Sequence, residues 1–105
     1  MSEDQATAVR DAYEALRRAD VGGVLAHMSP DVQWHLARRS VTGRGEVEEL
    51  LTGLKAGAWP ATDMVVDDLT ADAGRVLVTG SCGARFAHAW TLRGEILSEL
   101  QVLPA

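Results

Sequence analysis

A chain of 105 residues and 11.2 kDa builds a single domain, residues 1–105, because domains rarely fold below half that length and two cores do not fit in it. Hydrophobic residues make up 47% and charged residues 24%, which excludes a wholly disordered or fibrous chain. The net charge of −5, with 15 acidic residues and no basic run longer than Arg17-Arg18 or Arg38-Arg39, argues against a phosphate-tracking patch and hence against nucleic acid as a partner.

Ser2 and Gln5 fit a capping box, and Ala6, Val9, Tyr13 and Leu16 then recur at helical spacing, so the sequence predicts an amphipathic first helix with Tyr13 on its buried stripe. Asp20 is placed to cap a second, shorter helix through Val24, Leu25 and Met28, ended by Pro30. Val32, Trp34 and Leu36 alternate with Gln33 and His35 as in a half-buried strand, which favours Trp34 inward and His35 towards solvent or the sheet edge, the alternative being a bulge that turns His35 inward as a second titrating group. Val47, Leu50, Leu51 and Leu54 form the stripe of a third helix closed by Gly57, and Trp59-Pro60 opens a loop. Strand patterns fill the rest: Met64 to Thr70, Arg75 to Ser81, Ala84 to Leu92 and Ile96 to Leu103, separated by turn residues at Asp72-Ala73-Gly74, Cys82-Gly83 and Arg93-Gly94.

The expected fold class is α+β, in the order ααβαββββ: a curved antiparallel sheet with about three helices on its concave face. Three short helices cover only one face. The other face then presents Ala87, Ala89 and Thr91 between Arg85 and Arg93, small residues suited to sheet-to-sheet contact, so a homodimer through that face is expected.

Cys82 is the only cysteine, which excludes an internal disulfide, and no His/Cys cluster has zinc-ligand spacing, so no metal is expected. The acidic N-terminus is unlike a signal peptide, and no apolar run approaches the roughly 18 residues of a membrane span. The expectation is a cytoplasmic protein with no membrane partner.

Four segments carry a resemblance to a known family: residues 9–16 (VRDAYEAL), 25–35 (LAHMSPDVQWH), 43–47 (GRGEV) and 86–96 (FAHAWTLRGEI). In this order they resemble the SnoaL-like branch of the nuclear-transport-factor-2-like, or ketosteroid-isomerase-like, superfamily. The resemblance implies a cone-shaped fold with a cavity between the helices and the concave sheet face. It implies no single reaction, because the superfamily includes cyclases, isomerases, dehydratases, epoxide hydrolases and proteins without chemistry. An Arg flanked by two Asp at strand spacing, which an epoxide hydrolase of this fold would use, is missing from the sequence.

By strand parity Phe86, His88, Trp90 and Leu92 share one face, and the apolar three take His88 inward with them. An imidazole there exchanges protons near neutral pH, and the position matches an acid/base His of SnoaL-like cyclases; the alternative is a core histidine held by one hydrogen bond. Glu99 and Gln101 share one face of the last strand and are expected beside His88. The cyclases resembled carry Asp at the position aligned with Gln101, and since an amide cannot take and return a proton, Glu99 is left as the replacement carboxylate, the alternative being a solvated or dimer-contact Glu on the last strand. Tyr13, Trp34, Trp59, Phe86 and Trp90 are the candidate ligand-contact residues: Tyr13 either polarises a carbonyl oxygen or is a core tyrosine, and Trp59 either lids the cavity or packs on the core. The tight hairpin at Ser81–Ala84 and the brief segment between Trp34 and Val47 imply a shallow pocket, suited to a small or flat aromatic ligand.

Two functions follow from this reading. One is a cofactor-independent enzyme of cyclase or isomerase type, moving a proton next to a carbonyl of a small apolar or polyketide-like molecule. The other is a non-catalytic ligand-binding or dimeric assembly domain, in which His88, Glu99 and Gln101 orient a ligand or fix the dimer.

Overall fold

The computed structural model describes residues 2–18, 20–36, 39–55, 65–82 and 84–103. Their order is α1 (Ser2–Arg17), α2 (Val21–Leu25), β1 (Met28–His35), β2 (Ser40–Thr42), α3 (Gly43–Lys55), β3 (Val65–Asp72), β4 (Arg75–Cys82), β5 (Ala84–Arg93) and β6 (Ile96–Leu103). The predicted loop residues Gly57, Trp59 and Pro60 lie outside the described residues, as do Met64 and Gly83.

The class is α+β, and the six strands form one curved, unclosed sheet in the order β2-β1-β6-β5-β4-β3. The long β3-β4-β5-β6 meander is antiparallel as expected, but β1 joins β6 in parallel, so the sheet is mixed. The chain reaches β1 before the meander begins and adds it beyond the last strand, a long crossover that an antiparallel hairpin does not require. The short β2 pairs with β1 at Gln33–His35 and is an element that the sequence pattern did not announce, since three residues carry no readable period.

Asp20 caps α2 as read, its side chain accepting from the Gly23 amide at 3.0 Å. The helix stops at Leu25, however, and Met28 is the fully buried first residue of β1 rather than the end of the helix. Pro30 sits where β1 and β6 slip register between Met28 and Gln33, so its missing amide interrupts no ladder. The helix start at Ser2 agrees with the sequence, but the Gln5 amide donates to the Gly94 carbonyl at 2.9 Å instead of turning back to cap α1. That bond ties the first helix to the β5–β6 turn. At the β3–β4 turn both Ala73 (φ 51°) and Gly74 (φ 81°) are left-handed, the two-residue hairpin geometry that matches the strand twist.

Ala8, Val9, Ala12, Tyr13 and Ala15 of α1, Val47 and Leu51 of α3, and Val32, Trp34, Val76, Val78, Trp90, Leu97 and Leu100 of the sheet form one buried core. On β6 the buried Leu97 and Leu100 are three residues apart, which strict alternation forbids. The pairing explains it: Thr91 faces Glu99 while Leu92 faces Leu97, so Ser98 is the extra residue of a bulge, its hydroxyl donating to the Thr91 carbonyl at 2.9 Å.

Candidate functional site

Directly opposed residues of an antiparallel pair point to the same face. Val78 opposes His88 and Val76 opposes Trp90 on one side of β5; Val102 opposes His88 and Leu100 opposes Trp90 on the other. The concave face therefore carries Phe86, His88, Trp90 and Leu92, as the strand parity predicts, and Trp34 of β1, opposite Leu100, belongs to it too. Trp34, at 5% exposure, is the inward residue of the pair Trp34-His35.

Glu99 and Gln101 are on the other face. Glu99 opposes Thr91 and Gln101 opposes Ala89, both convex-side positions, so neither projects beside His88. This corrects the expected arrangement, and its cause is plain in the pairing: Leu100 and Val102 are the residues that turn inward. Glu99 instead meets His35, with 2.7 Å between Glu99 Oε2 and His35 Nε2, while His35 Nδ1 lies 3.2 Å from Ser40 Oγ. This half-exposed cluster was missed because its members come from three strands whose adjacency no local pattern encodes.

His88 meets Tyr13 from α1 instead. Tyr13 Oη and His88 Nδ1 are 2.6 Å apart, and the Trp90 indole N–H donates to the same Tyr13 Oη at 2.9 Å. Rings surround this chain. Phe86 stacks on His88 with centroids 4.4 Å apart, Trp90 stands edge-on to Tyr13 at 6.2 Å, and Trp34 stands edge-on to Trp90 at 5.9 Å. Four of the five expected ligand-contact residues, Tyr13, Trp34, Phe86 and Trp90, thus form one cluster around His88; the fifth, Trp59, lies outside the described residues. Tyr13, Trp34 and Trp90 are buried and fill the interior of the cone, while Phe86 and His88 keep partial exposure.

Burial disfavours the charged form of both polar members. It pushes the His88 imidazole from 6.5 down to about 4, so the ring is neutral at physiological pH. It raises the Tyr13 phenol well above its ordinary value, with the Trp90 hydrogen bond pulling more weakly the other way, so Tyr13 keeps its proton. The pair is a neutral one. It can donate or accept hydrogen bonds without a net charge, which is the form an apolar carbonyl compound meets at least desolvation cost.

Beside the cluster, between α1 and β3, opens a cleft of about 480 Å³, lined by Arg10, Tyr13, Glu14, Arg17, Val65, Val66, Asp67, Asp68 and Leu69. Tyr13 is common to the cleft and to the aromatic cluster. At the rim Arg17 pairs with Glu14 at 3.1 Å and Asp67 pairs with Arg85, so much of its charge is internally neutralised. Among the described residues no group of three or more His, Cys, Asp or Glu could hold a metal ion, and no helix is long and apolar enough to cross a membrane.

The family model of the SnoaL-like domain matches residues 9–100, nearly the whole chain. The protein belongs to the SnoaL-like family. No curated protein matches it, whereas many solved structures do. An NTF2-like protein of unknown function from Burkholderia pseudomallei is 22% identical, with a TM-score of 0.82 over 100% of this chain and 92% of that one. TerC, co-crystallised with polyporic acid, is 20% identical with a TM-score of 0.79, covering 97% of this chain and 92% of that one. A candidate ketosteroid isomerase from Kribbella flavida is 17% identical with a TM-score of 0.77, over 99% and 81% of the two chains. Likenesses at this identity establish the fold of this SnoaL-like domain and leave its reaction to be argued from its own residues.

Proposed function

We propose that this SnoaL-like protein acts on a small, flat, largely apolar molecule by cofactor-independent proton transfer of the isomerase or cyclase type, with His88 at the reacting oxygen. The observation that supports it is the Tyr13–His88 contact at 2.6 Å in an apolar, ring-lined setting beside an open cleft. A neutral imidazole donating to a carbonyl oxygen stabilises the charge that gathers there as the neighbouring carbon gives its proton to a base, for which the adjoining cleft supplies the carboxylates Glu14, Asp67 and Asp68; the same base returns the proton at the new position. A histidine held neutral down to about pH 4 is a weak base, so its contribution is to polarise the oxygen rather than to abstract the proton.

One observation favours a second reading, a binding domain without turnover. The carboxylate expected to share the proton traffic, Glu99, faces away from His88 and is engaged with His35. Native mass spectrometry of freshly purified protein, followed by identification of any retained small molecule, separates the readings. A retained carbonyl compound that is converted on incubation supports the enzyme, and one returned unchanged supports the binding domain. Polyporic acid, the ligand crystallised with TerC, is the first compound to titrate. If neither a retained molecule nor a titrated one perturbs His88, the site is not a ligand site.

A homodimer joined through the convex face completes the proposal. Val65 at 55%, Leu77 at 43% and Ile96 at 42% exposure lie on that face with Ala87, Ala89 and Leu103, an apolar surface that a second copy would cover.

A further inference from the structure

We infer that Tyr13 and Trp90 are positioning residues that fix the single ring proton of His88 on Nε2, so that a ligand reaching His88 is selected for a hydrogen-bond acceptor and isosteres presenting a donor are rejected. The inference rests on the ligand-binding reading above for its second half only.

The argument is a count of protons. An indole N–H can only donate, so at 2.9 Å from Trp90 the Tyr13 oxygen must accept. Between Tyr13 Oη and His88 Nδ1, 2.6 Å apart, there is room for one proton. If that proton sat on Nδ1, the Tyr13 oxygen would accept twice and its own hydrogen would point into packing, since Tyr13 is 2% exposed. If it sits on Tyr13, both buried donors are used, Trp90 to Tyr13 and Tyr13 to Nδ1, and the one N–H left over is on Nε2 of the partly exposed His88. An unpaired buried donor is costly enough to bias the two states by roughly tenfold or more. Trp90 contributes by donating to the hydroxyl oxygen, which leaves His88 Nδ1 as the described acceptor for the Tyr13 hydrogen.

With Nδ1 filled as an acceptor, a neutral imidazole carries its hydrogen on Nε2. Phe86, stacked at 4.4 Å, holds the ring plane. His88 is only partly buried, and Nε2 has no hydrogen bond from a described residue, so this N–H is what an entering molecule meets. A ligand atom that meets the His88 Nε2–H must be an acceptor, an oxygen such as that of a ketone, enolate or phenolate. A ligand N–H in that place would set donor against donor.

Long-range proton–nitrogen correlation of the histidine rings at pH 7 tests the proton placement on the ligand-free protein. The expected spectrum has His88 Nδ1 unprotonated and Nε2 protonated. Tyr13→Phe, and more mildly Trp90→Phe, should convert this single form to a mixture, an effect that mere loosening of the core does not specify. A wild-type His88 protonated on Nδ1 overturns the inference whatever the variants do. For ligand choice, fluorenone and carbazole have one shape and differ in a carbonyl against an N–H. Fluorenone should move the Nε2 resonance and bind at least about tenfold more tightly. Equal or tighter binding of carbazole overturns the selectivity. If neither compound nor any retained molecule perturbs His88, the ligand reading fails and takes the selectivity with it, while the proton placement is judged on the ligand-free spectrum alone.

Discussion

Holding His88 neutral makes the fold sensitive to acid in a defined window. In the unfolded chain the imidazole titrates at its ordinary 6.5, whereas in the native protein burial moves it to about 4. Between these values the unfolded chain binds a proton that the native state does not, so stability falls as the pH falls from 6.5 to about 4, is unaffected above, and loses nothing further below. The gap of about 2.5 units corresponds to about 3 kcal/mol at 1.36 kcal/mol per unit, or about 2 if water reaches the exposed part of the ring. That is a sizeable part of the 5–15 kcal/mol typical of a domain. Urea unfolding followed by tryptophan fluorescence at pH 7, 6, 5 and 4 measures it, with His88→Asn as the reference, because the Asn carbonyl can still accept from Tyr13 but has no titration. Carboxylates, His27 and His35 are common to both proteins and cancel. The wild type should lose about 2–3 kcal/mol more than His88→Asn across this range. Parallel curves, within about 0.5 kcal/mol, would refute the buried neutral imidazole and the proton count built on it.

Three further outcomes follow from the register and the turns. Ala73 occupies a left-handed position that costs an alanine about 1 kcal/mol, so Ala73→Asn should raise unfolding stability by about 0.5–1 kcal/mol in urea titrations, and a loss would mean the turn is of another type. Glu99→Gln should shift the ring resonances of His35 and leave those of His88 in place; movement of His88 would put Glu99 back on the concave side. Ala89→Glu, a charge in the middle of the convex face, should convert a homodimer to monomers in sedimentation at micromolar concentration, and a wild type already monomeric there removes the dimer.

The fold was largely legible because its signals are local. Val9, Tyr13 and Leu16 mark a helix face without help from the rest of the chain, as do Phe86, His88 and Trp90 for a strand face, and strand existence along the meander needed only alternation and turn residues. What was not legible is what depends on who sits beside whom. The parallel seam between β1 and β6 brings His35 to Glu99 across 64 positions of sequence, and nothing in either segment encodes the other. The three-residue β2 falls below the length at which a period can be counted.

The misplacement of Glu99 and Gln101 is a choice between the two faces of β6. Alternation on β6, taken alone with the rule that apolar residues turn inward, sends Leu100 and Val102 to the core and Glu99 and Gln101 outward, which is the observed arrangement. The shared face of Glu99 and Gln101 was expected to be the one that carries His88, which would require Leu100 and Val102 to turn away from the helices. Burial energy decides between them: turning Leu100 and Val102 out and two polar side chains in would forfeit about 3–6 kcal/mol of apolar burial before any cost of desolvating a carboxylate. The concave face consequently offers His88 a phenol in place of a carboxylate. A phenol kept protonated by burial cannot drive an imidazole towards its charged form, but it can settle which nitrogen bears the proton. On the proposed reading the chemistry open to this site is that of a fixed neutral donor, and it is set by Tyr13, which the sequence offers as a helix-stripe residue and a candidate ligand contact but not as the partner of His88.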